Sequence, residues 1–328
     1  MEYVKLTGTG IEVSKLCIGA MTLGDQVDEK TGVAAVEYAI GEGVNFFDTA
    51  NVYTNGRSEE ILGKAVAGKR DSIILASKVG SRLNQKAAGL PNDAGGLSRR
   101  YILKQIESSL KRLKTDYLDI YYLHAPDALT PVEETLGAMD TLVRSGKVRY
   151  IGASNYAAWQ LCQMYYQARS AGLNYPVVTQ MVYNIITRGI EQEFLPFLRA
   201  HKLGLVVYNP LAAGFLTDKY KDKRQLPNTR FSNSKMYADR YWNEENFSAW
   251  DDLHAIAEKA GIGMLELAMR WLYGAAGVDA VITGFSKLEQ LRQNLKTLDK
   301  GGLDKETMAE CDKVWGKLAG TRFKYNRD

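Results

Sequence analysis

The sequence predicts an α/β fold, a (β/α)8 TIM barrel with an N-terminal β-hairpin and a long loop after strand 7. Three observations predict it: eight short apolar runs recur along the chain, amphipathic helical stretches separate them, and no GxGxxG turn follows the first run. The runs are LCIGAM (16–21), NFFDTA (45–50), IILASKV (73–79), YLDIYYLH (117–124), VRYIGASN (148–155), VVTQMVYN (177–184), GLVVYNPL (204–211) and AVITGF (280–285). Near-continuous apolar strands that alternate with amphipathic helices are parallel strands covered by helices. An open doubly wound sheet is the alternative, but TLGDQVDEK after the first run lacks its phosphate-binding turn. With 328 residues and no internal linker or low-complexity stretch, residues 1–328 read as a single barrel domain.

Taken in order, YVKLTGTGIEVSKL alternates polar and apolar residues around a glycine-containing turn, which predicts a hairpin that acts as a lid ahead of the main fold. Helical spacing predicts helices near 28–42, 58–68, 98–114, 131–145, 157–171, 189–202, 250–274, 287–298 and 305–320. The clearest start signal is Thr130, Pro131 and Glu133: an N-cap, a proline at the first helical position and a capping-box acid. Residues 212–247 form a loop well beyond the roughly 12–15 residues usual for connections. Phe231, Tyr237, Tyr241, Trp242 and Phe247 would anchor it as a substrate and cofactor lid.

Composition narrows the function. Hydrophobic residues make up 45% of the chain and charged residues 24%, enough for a large buried core. Net charge is +4, from 42 basic and 38 acidic residues spread along the chain, which excludes the clustered basic stripe of a nucleic-acid binder. The densest basic run, Arg99, Arg100, Lys104, Lys111, Arg112 and Lys114, interleaves with Ile102, Leu103, Ile106, Leu110 and Leu113 and reads as a solvated helix face. Cys17, Cys162 and Cys311 are widely spaced and include no CxxC, so a reduced compartment fits. The N-terminus shows no basic segment followed by an apolar run, and no apolar stretch reaches the roughly 20 residues that span a bilayer; a cytoplasmic protein without membrane contact is expected. His124, His201 and His254 form no HxH or HExxH pair, so no metal is expected.

Chemistry concentrates in NFFDTANVYTNGRSEEILG (45–63), where Asp48 ends the second strand and Tyr53 lies in the loop behind it. Lys78 ends the third strand and His124 the fourth. Barrel enzymes carry their reactive groups at the C-terminal strand ends, and neighbouring strands lie about 4.8 Å apart, so these four side chains converge. Tyrosine has a reference pKa near 10, and a buried lysine beside it lowers that value by favouring the phenolate. Tyr53 then reads as a proton donor, Asp48 as the group that keeps Lys78 charged and in place, and His124 as a hydrogen-bond partner for a substrate carbonyl oxygen. Each has a structural reading as well: a helix cap, loop packing, a rim charge, a buried histidine. Four such placements at consecutive strand ends point instead to carbonyl reduction. A phosphate-binding isomerase or aldolase, with Lys78 as nucleophile, is the rival chemistry.

These residues, with FFDTANVYTNGRSEEILG, SKVG, YLHAPD, VRYIGASNY, TQMVYN, YNPLAAGFLT and ITGFSKLEQLRQNL, resemble the aldo-keto reductase superfamily over nearly the whole chain. From HAPDALTPVEETL to RFSNSKMYADRYWNEENF the chain looks most like the aflatoxin-aldehyde and succinic-semialdehyde reductase branch; the potassium-channel β-subunit branch is more distant. The resemblance implies NADPH (NADP+) as cofactor and Asp48, Tyr53, Lys78 and His124 as the catalytic set. It further implies that Ser154, Asn155 and Gln180 hold the nicotinamide carboxamide, that Tyr208 stacks on the ring, and that Leu211, Gly214 and Lys219 line the pyrophosphate path. Gly284, Ser286, Lys287, Gln290 and Asn294 match the site for the 2′-phosphate and adenine at a helix N-terminus, although Ser286 stands where many relatives carry arginine or lysine. The implied substrate is a small carbonyl compound, an aldehyde bearing a carboxylate or second carbonyl, gripped by Arg240 and Arg327, with Arg230 a further candidate. The expectation is an NADPH-dependent aldehyde reductase; the alternative is an NADP(H)-bound regulatory or sensor subunit with slow turnover. Homo-oligomerisation is left open.

Overall fold

The structure is a computed structural model that describes residues 1–81, 96–221 and 230–320. Strands β1 (Tyr3–Lys5) and β2 (Glu12–Ser14) pair antiparallel as a hairpin. The eight strands β3 (Leu16–Gly19), β4 (Phe46–Asp48), β5 (Ile74–Val79), β6 (Leu118–Leu123), β7 (Val148–Ser154), β8 (Val178–Val182), β9 (Gly204–Tyr208) and β10 (Ala280–Thr283) run parallel and close into a barrel through β10 and β3. Each expected apolar run holds one of them. Around the barrel lie α1 (Glu29–Gly41), α2 (Arg57–Ala65), α3 (Arg99–Leu113), α4 (Val132–Arg144), α5 (Ala158–Ala171), α6 (Phe194–His201), α7 (Lys235–Tyr241), α8 (Glu244–Lys259), α9 (Met264–Tyr273), α10 (Leu288–Leu298) and α11 (Lys305–Leu318).

Strand side chains alternate between the two faces of the barrel wall. Those facing outward pack under the helices; those facing inward form a smaller core of Cys17, Phe46, Ala76, Ile120, Tyr122, Val178, Val206 and Ala280. Leu6 and Val13 of the hairpin, both fully buried, join this inner core. The hairpin is therefore a plug at the N-terminal mouth rather than a lid over the strand ends where Asp48, Lys78 and His124 lie. Its backbone comes so close that a Cβ on Gly204, at the start of β9, would sit 2.7 Å from the Thr7 carbonyl oxygen.

Four expectations are corrected. The helix expected over 250–274 is two, α8 and α9, because Gly261 takes a left-handed conformation (φ +66°) that ends the first. Of 189–202 only Phe194–His201 is α-helical; Pro196 has no N–H to bond an earlier turn, and Gly189–Glu191 is a separate 3-10 turn. Thr130 does not cap α4: its hydroxyl donates to Asp127 Oδ2 at 2.7 Å, and the cap position belongs to Pro131, which offers no side-chain acceptor. The long loop is in large part helical, containing α7 and the start of α8. Its expected anchors do pack: Trp242 meets Phe231 (5.1 Å between ring centroids) and Phe247 (5.0 Å), with Phe215 and Tyr220 added from the strand side. Among the described residues, no helix is long and apolar enough to cross a membrane and no group of side chains could hold a metal ion.

Candidate active site

Asp48 is the last residue of β4 and pairs in register with Ala76, so Lys78 stands two residues nearer the C-terminal mouth on the same inward face of β5. Its ammonium, 1% exposed, reaches across to Asp48 Oδ1 and donates to the Thr49 carbonyl at 2.8 Å. Tyr53 is brought back over this pair by a 3-10 turn, Tyr53–Gly56, in which Thr54 (φ 47°) and Asn55 (φ 55°) are left-handed. Such conformations cost energy in residues with a Cβ and persist where the surroundings impose them. Here the Thr54 hydroxyl is tied to the Leu23 carbonyl at 2.8 Å and accepts from the Ser58 N–H at 2.8 Å. The outcome is a Tyr53 hydroxyl 3.5 Å from Lys78 Nζ. His124 follows β6, its N–H bonded to the Val79 carbonyl at 2.7 Å, and its ring meets Tyr53 edge-on with centroids 5.7 Å apart.

The electrostatics follow from burial. Desolvation works to lower Lys78, but Asp48 and then Tyr53 outweigh it, so the ammonium is held above its ordinary value. Burial lifts the Asp48 carboxyl, against the downward pull of Lys78 and the Gln180 amide. Tyr53 corrects an expectation: burial raises the phenol, and Lys78 pulls it down without reversing the rise. The reason is that Asp48 neutralises much of the lysine's charge and adds its own repulsion. Tyr53 thus keeps its proton at neutral pH. Burial first, and Lys78 second, push His124 down to about 3, so its ring is neutral. Its Nδ1 is buried and has no hydrogen-bond partner among the described residues.

A second layer of polar side chains sews the strand ends together. Ser154 Oγ donates to the Gln180 carbonyl at 2.9 Å, and Gln180 Nε2 donates to Asp48 Oδ2 at 2.9 Å. Asn155, left-handed at φ 63°, donates from Nδ2 to the His124 carbonyl and to Ser154 Oγ, both at 3.0 Å. Its Oδ1 accepts from the Tyr208 hydroxyl at 2.7 Å, and burial, opposed by Arg240, pushes that phenol up to about 12. Gln180 therefore meets Asp48 directly, and Ser154, Asn155 and Tyr208 are joined to it in a chain of hydrogen bonds.

The other expected site residues lie further round the mouth. Leu211 and Gly214 flank a turn in which Ala212 (φ 47°), Ala213 (φ 60°) and Gly214 (φ 94°) are successively left-handed; Lys219 is exposed beyond it. At the end of β10, Gly284 is exposed and the N–H groups of Ser286 (2.8 Å) and Lys287 (3.3 Å) donate to Gln290 Oε1, which caps α10. Asn294, buried, donates to Thr283 Oγ1 at 2.8 Å while its own Oδ1 has no partner among the described residues. Arg240 is exposed on α7, and Arg327 lies outside the described residues.

Residues 15–316 match the model of the Aldo/keto reductase family. The chain belongs to that family. Among its relatives, a probable voltage-gated potassium channel subunit beta of Oryza sativa subsp. japonica is 39% identical, covering 91% of this chain and 92% of the relative. Aflatoxin B1 aldehyde reductase member 2 of Rattus norvegicus is 37% identical over 92% of this chain and 84% of the relative. An uncharacterized oxidoreductase of Bacillus subtilis is 36% identical over 96% of each. Both expected branches are present, and these identities do not rank one above the other.

This aldo/keto reductase barrel also shows site residues that sequence reasoning left out or placed otherwise. Tyr237, expected only as a loop anchor, acts on both Tyr53 and Tyr208, with the Arg230 guanidinium 4.9 Å from its ring centroid. Tyr241 accepts from Asn209 Nδ2 at 2.9 Å, which ties α7 to the end of β9. The signal was present as the spacing of Tyr237, Arg240 and Tyr241, three and four residues apart on one helix face.

Proposed function

We propose that this chain is an NADPH-dependent oxidoreductase that reduces aldehydes to alcohols in the cytoplasm, with Tyr53 as general acid and the barrel working as one unit. The observation that carries the reading is a buried ammonium, Lys78, shared between a carboxylate and a phenol that points into the barrel mouth. A lysine with only Asp48 to serve needs no tyrosine folded back over it through two left-handed residues.

In this reading the Tyr53 O–H breaks as the carbonyl oxygen gains its proton, and Lys78 steadies the phenolate left behind. His124, neutral, offers an N–H to the same oxygen and fixes the carbonyl between two donors. NADPH, when bound, supplies the hydride. The residues fit such a group: the half-buried face of Tyr208 suits a nicotinamide ring, and the unpartnered Oδ1 of Asn294 suits the exocyclic amine of adenine. Ser286, Lys287 and Gln290 would receive the 2′-phosphate at the start of α10, once the Gln290 side chain leaves the N–H groups it caps. Ser154 and Asn155 would meet the carboxamide only by exchanging their present bonds; Gln180 would do so from beside Asp48. Leu211, Gly214 and Lys219 would line the pyrophosphate.

An aldehyde substrate is supported by the aldehyde reductases among the relatives, and a carboxylate on it by Arg240, whose guanidinium acts on Tyr208. Arg327 is the second proposed carboxylate ligand. The relatives named as potassium-channel β subunits favour a second reading, an NADP(H)-bound regulatory subunit with slow turnover. One assay separates the two: oxidation of NADPH, beside NADH, with 4-nitrobenzaldehyde, succinic semialdehyde, methylglyoxal and a ketone. Rapid turnover that Tyr53→Phe abolishes supports the reductase. Tight NADPH binding with no turnover on any carbonyl overturns it in favour of the regulatory reading.

A further inference from the structure

On the outer face of the barrel wall, behind Lys78, lies a fully buried carboxylate that the proposed reaction does not use. Glu59 stands in the first turn of α2 with no exposed surface, and a charge so placed persists only when it is paired. Arg112, in the last turn of α3, is the partner: its Nε and Nη2 both lie 2.6 Å from Glu59 Oε2. Expected on a solvated helix face, Arg112 turns inward to make this pair. The two helices are pressed together here, since a Cβ on Gly63 of α2 would come 2.7 Å from the Arg112 carbonyl oxygen.

Each end of the pair touches a part of the chain that the site depends on. Glu59 Oε1 accepts from the Ser77 hydroxyl at 2.6 Å, and Ser77 is the outward-facing neighbour of Lys78 on β5. Ser58, beside Glu59, bonds Thr49 Oγ1 at 2.8 Å, and the Thr49 carbonyl accepts from Lys78. The Arg112 side chain lies against Gly56, the last residue of the turn that begins at Tyr53; a Cβ there would come 2.8 Å from Arg112 Cδ and 2.9 Å from Nε. One buried ion pair therefore bears both on the strand that carries Lys78 and on the turn that carries Tyr53, whose hydroxyl and ammonium meet at 3.5 Å. Resting on the reading of Tyr53 as the acid, we propose that Glu59 and Arg112 are positioning residues, a strut that sets the distance between the Tyr53 hydroxyl and the Lys78 ammonium. Lysine in place of Arg112 keeps the charge but loses the rigid, planar fork on which Gly56 rests, so the turn shifts and takes Tyr53 with it. A displacement of about 1 Å is enough to cost about 10²-fold in rate.

The fold supplies its own control at the opposite end of β5 and β6. Arg70, just before β5, pairs with Asp119 of β6 at 2.7 Å, both side chains largely buried, and its other bonds go to the Ile73 and Tyr117 carbonyls at the N-terminal ends of the same strands. Arg112→Lys and Arg70→Lys should both lower Tm. At a temperature where both are folded, in NADPH-dependent reduction of 4-nitrobenzaldehyde, Arg112→Lys should lower kcat about 10- to 100-fold with KM and NADPH Kd little changed, while Arg70→Lys keeps the wild-type kcat. A second readout needs no turnover. The 13C signal of Tyr53 Cζ, identified by its loss in Tyr53→Phe, reports the hydrogen bond at the hydroxyl; at neutral pH it should move in Arg112→Lys and hold in Arg70→Lys. Should Arg112→Lys fail to fold, Ser77→Ala, which removes one hydroxyl from the strut, decides by the same two readouts, with kcat lowered severalfold and the Tyr53 signal moved. Equal kcat in the two arginine variants, an unchanged Tyr53 signal in Arg112→Lys, or, where it decides, a Ser77→Ala variant identical to wild type overturns the proposal. Should the wild type reduce no carbonyl, the reductase reading fails by itself, and the Tyr53 signal still decides on the strut.

Discussion

At the N-terminal mouth of the barrel, Leu6 and Val13 are buried against Cys17, Phe46 and Val178; at the C-terminal mouth, Asp48 and Lys78 are buried to nearly the same degree as an ion pair. The strands are the same and the burial is the same, yet the physics differs in sign. Removing apolar surface from water stabilises by about 25 cal/mol per Å². Removing two charges from water is opposed by desolvation that their attraction only partly offsets. The comparison teaches that one end of this barrel is organised for stability and the other holds a charged, strained arrangement that stability alone does not require.

The sharpest way to break the comparison is Tyr53→Phe, which removes the hydroxyl proposed as the acid and no atom of the hydrophobic core. Carbonyl reduction should fall by about 10²- to 10⁴-fold, the usual contribution of a positioned acid, while NADPH affinity and Tm stay near wild type. A Tyr53→Phe variant with near wild-type turnover ends the assignment. Next in size, Lys78→Met should cost about 3–5 kcal/mol of unfolding free energy, because it strands the Asp48 carboxylate. Adding Asp48→Asn should return much of that loss, and denaturant titration of the two single variants and the double variant measures it. If the double variant is the least stable, the pair is a net stabiliser and the contrast between the mouths is wrong.

At the other mouth, Leu6→Ala should cost about 2–5 kcal/mol by opening a cavity beneath the barrel, with kcat and KM unchanged. A fall in kcat would show that the plug and the reactive mouth are coupled. The most gradual effect is a pH dependence. His124 sits near 3 in the folded chain against an ordinary 6.5, so between these values the unfolded chain binds a proton that the folded chain does not. Stability therefore falls as pH drops through that window, by up to about 1.4 kcal/mol per pH unit, and His124→Gln should flatten the slope. Asp48, raised by burial, acts with the opposite sign, but it is common to both proteins and cancels in the difference. The same neutrality predicts no limb near pH 6.5 in the pH profile of kcat/KM.

Much of the candidate site was legible in sequence because it is written locally. Asp48, Lys78 and His124 each end an apolar run, and a strand end in a parallel barrel has a known location. The bonds that complete the site are not local. Gln180 donates to Asp48 across 132 residues of chain, a relation with no signature in the spacing of residues. Thr130 carried a helix-cap signature and lost it to Asp127, an acceptor three residues away that competes for the same hydroxyl. The turn holding Tyr53 required left-handed Thr54 and Asn55, which a reader of propensities would not select.

What the sequence determined by itself, then, was the number and order of the strands, their closure into a barrel and the residue types at their ends. Those follow from periodicity and composition, which are properties of neighbours along the chain. Only the tertiary structure decided that the hairpin plugs the mouth opposite Asp48, Lys78 and His124, that α7 is tied to the end of β9 through Tyr241 and Asn209, and that Tyr53 is raised rather than lowered despite the lysine beside it. The physical reason is common to all three. Packing partners, desolvation and the balance between two charges depend on what stands across the barrel, and the chain brings those groups together only by folding.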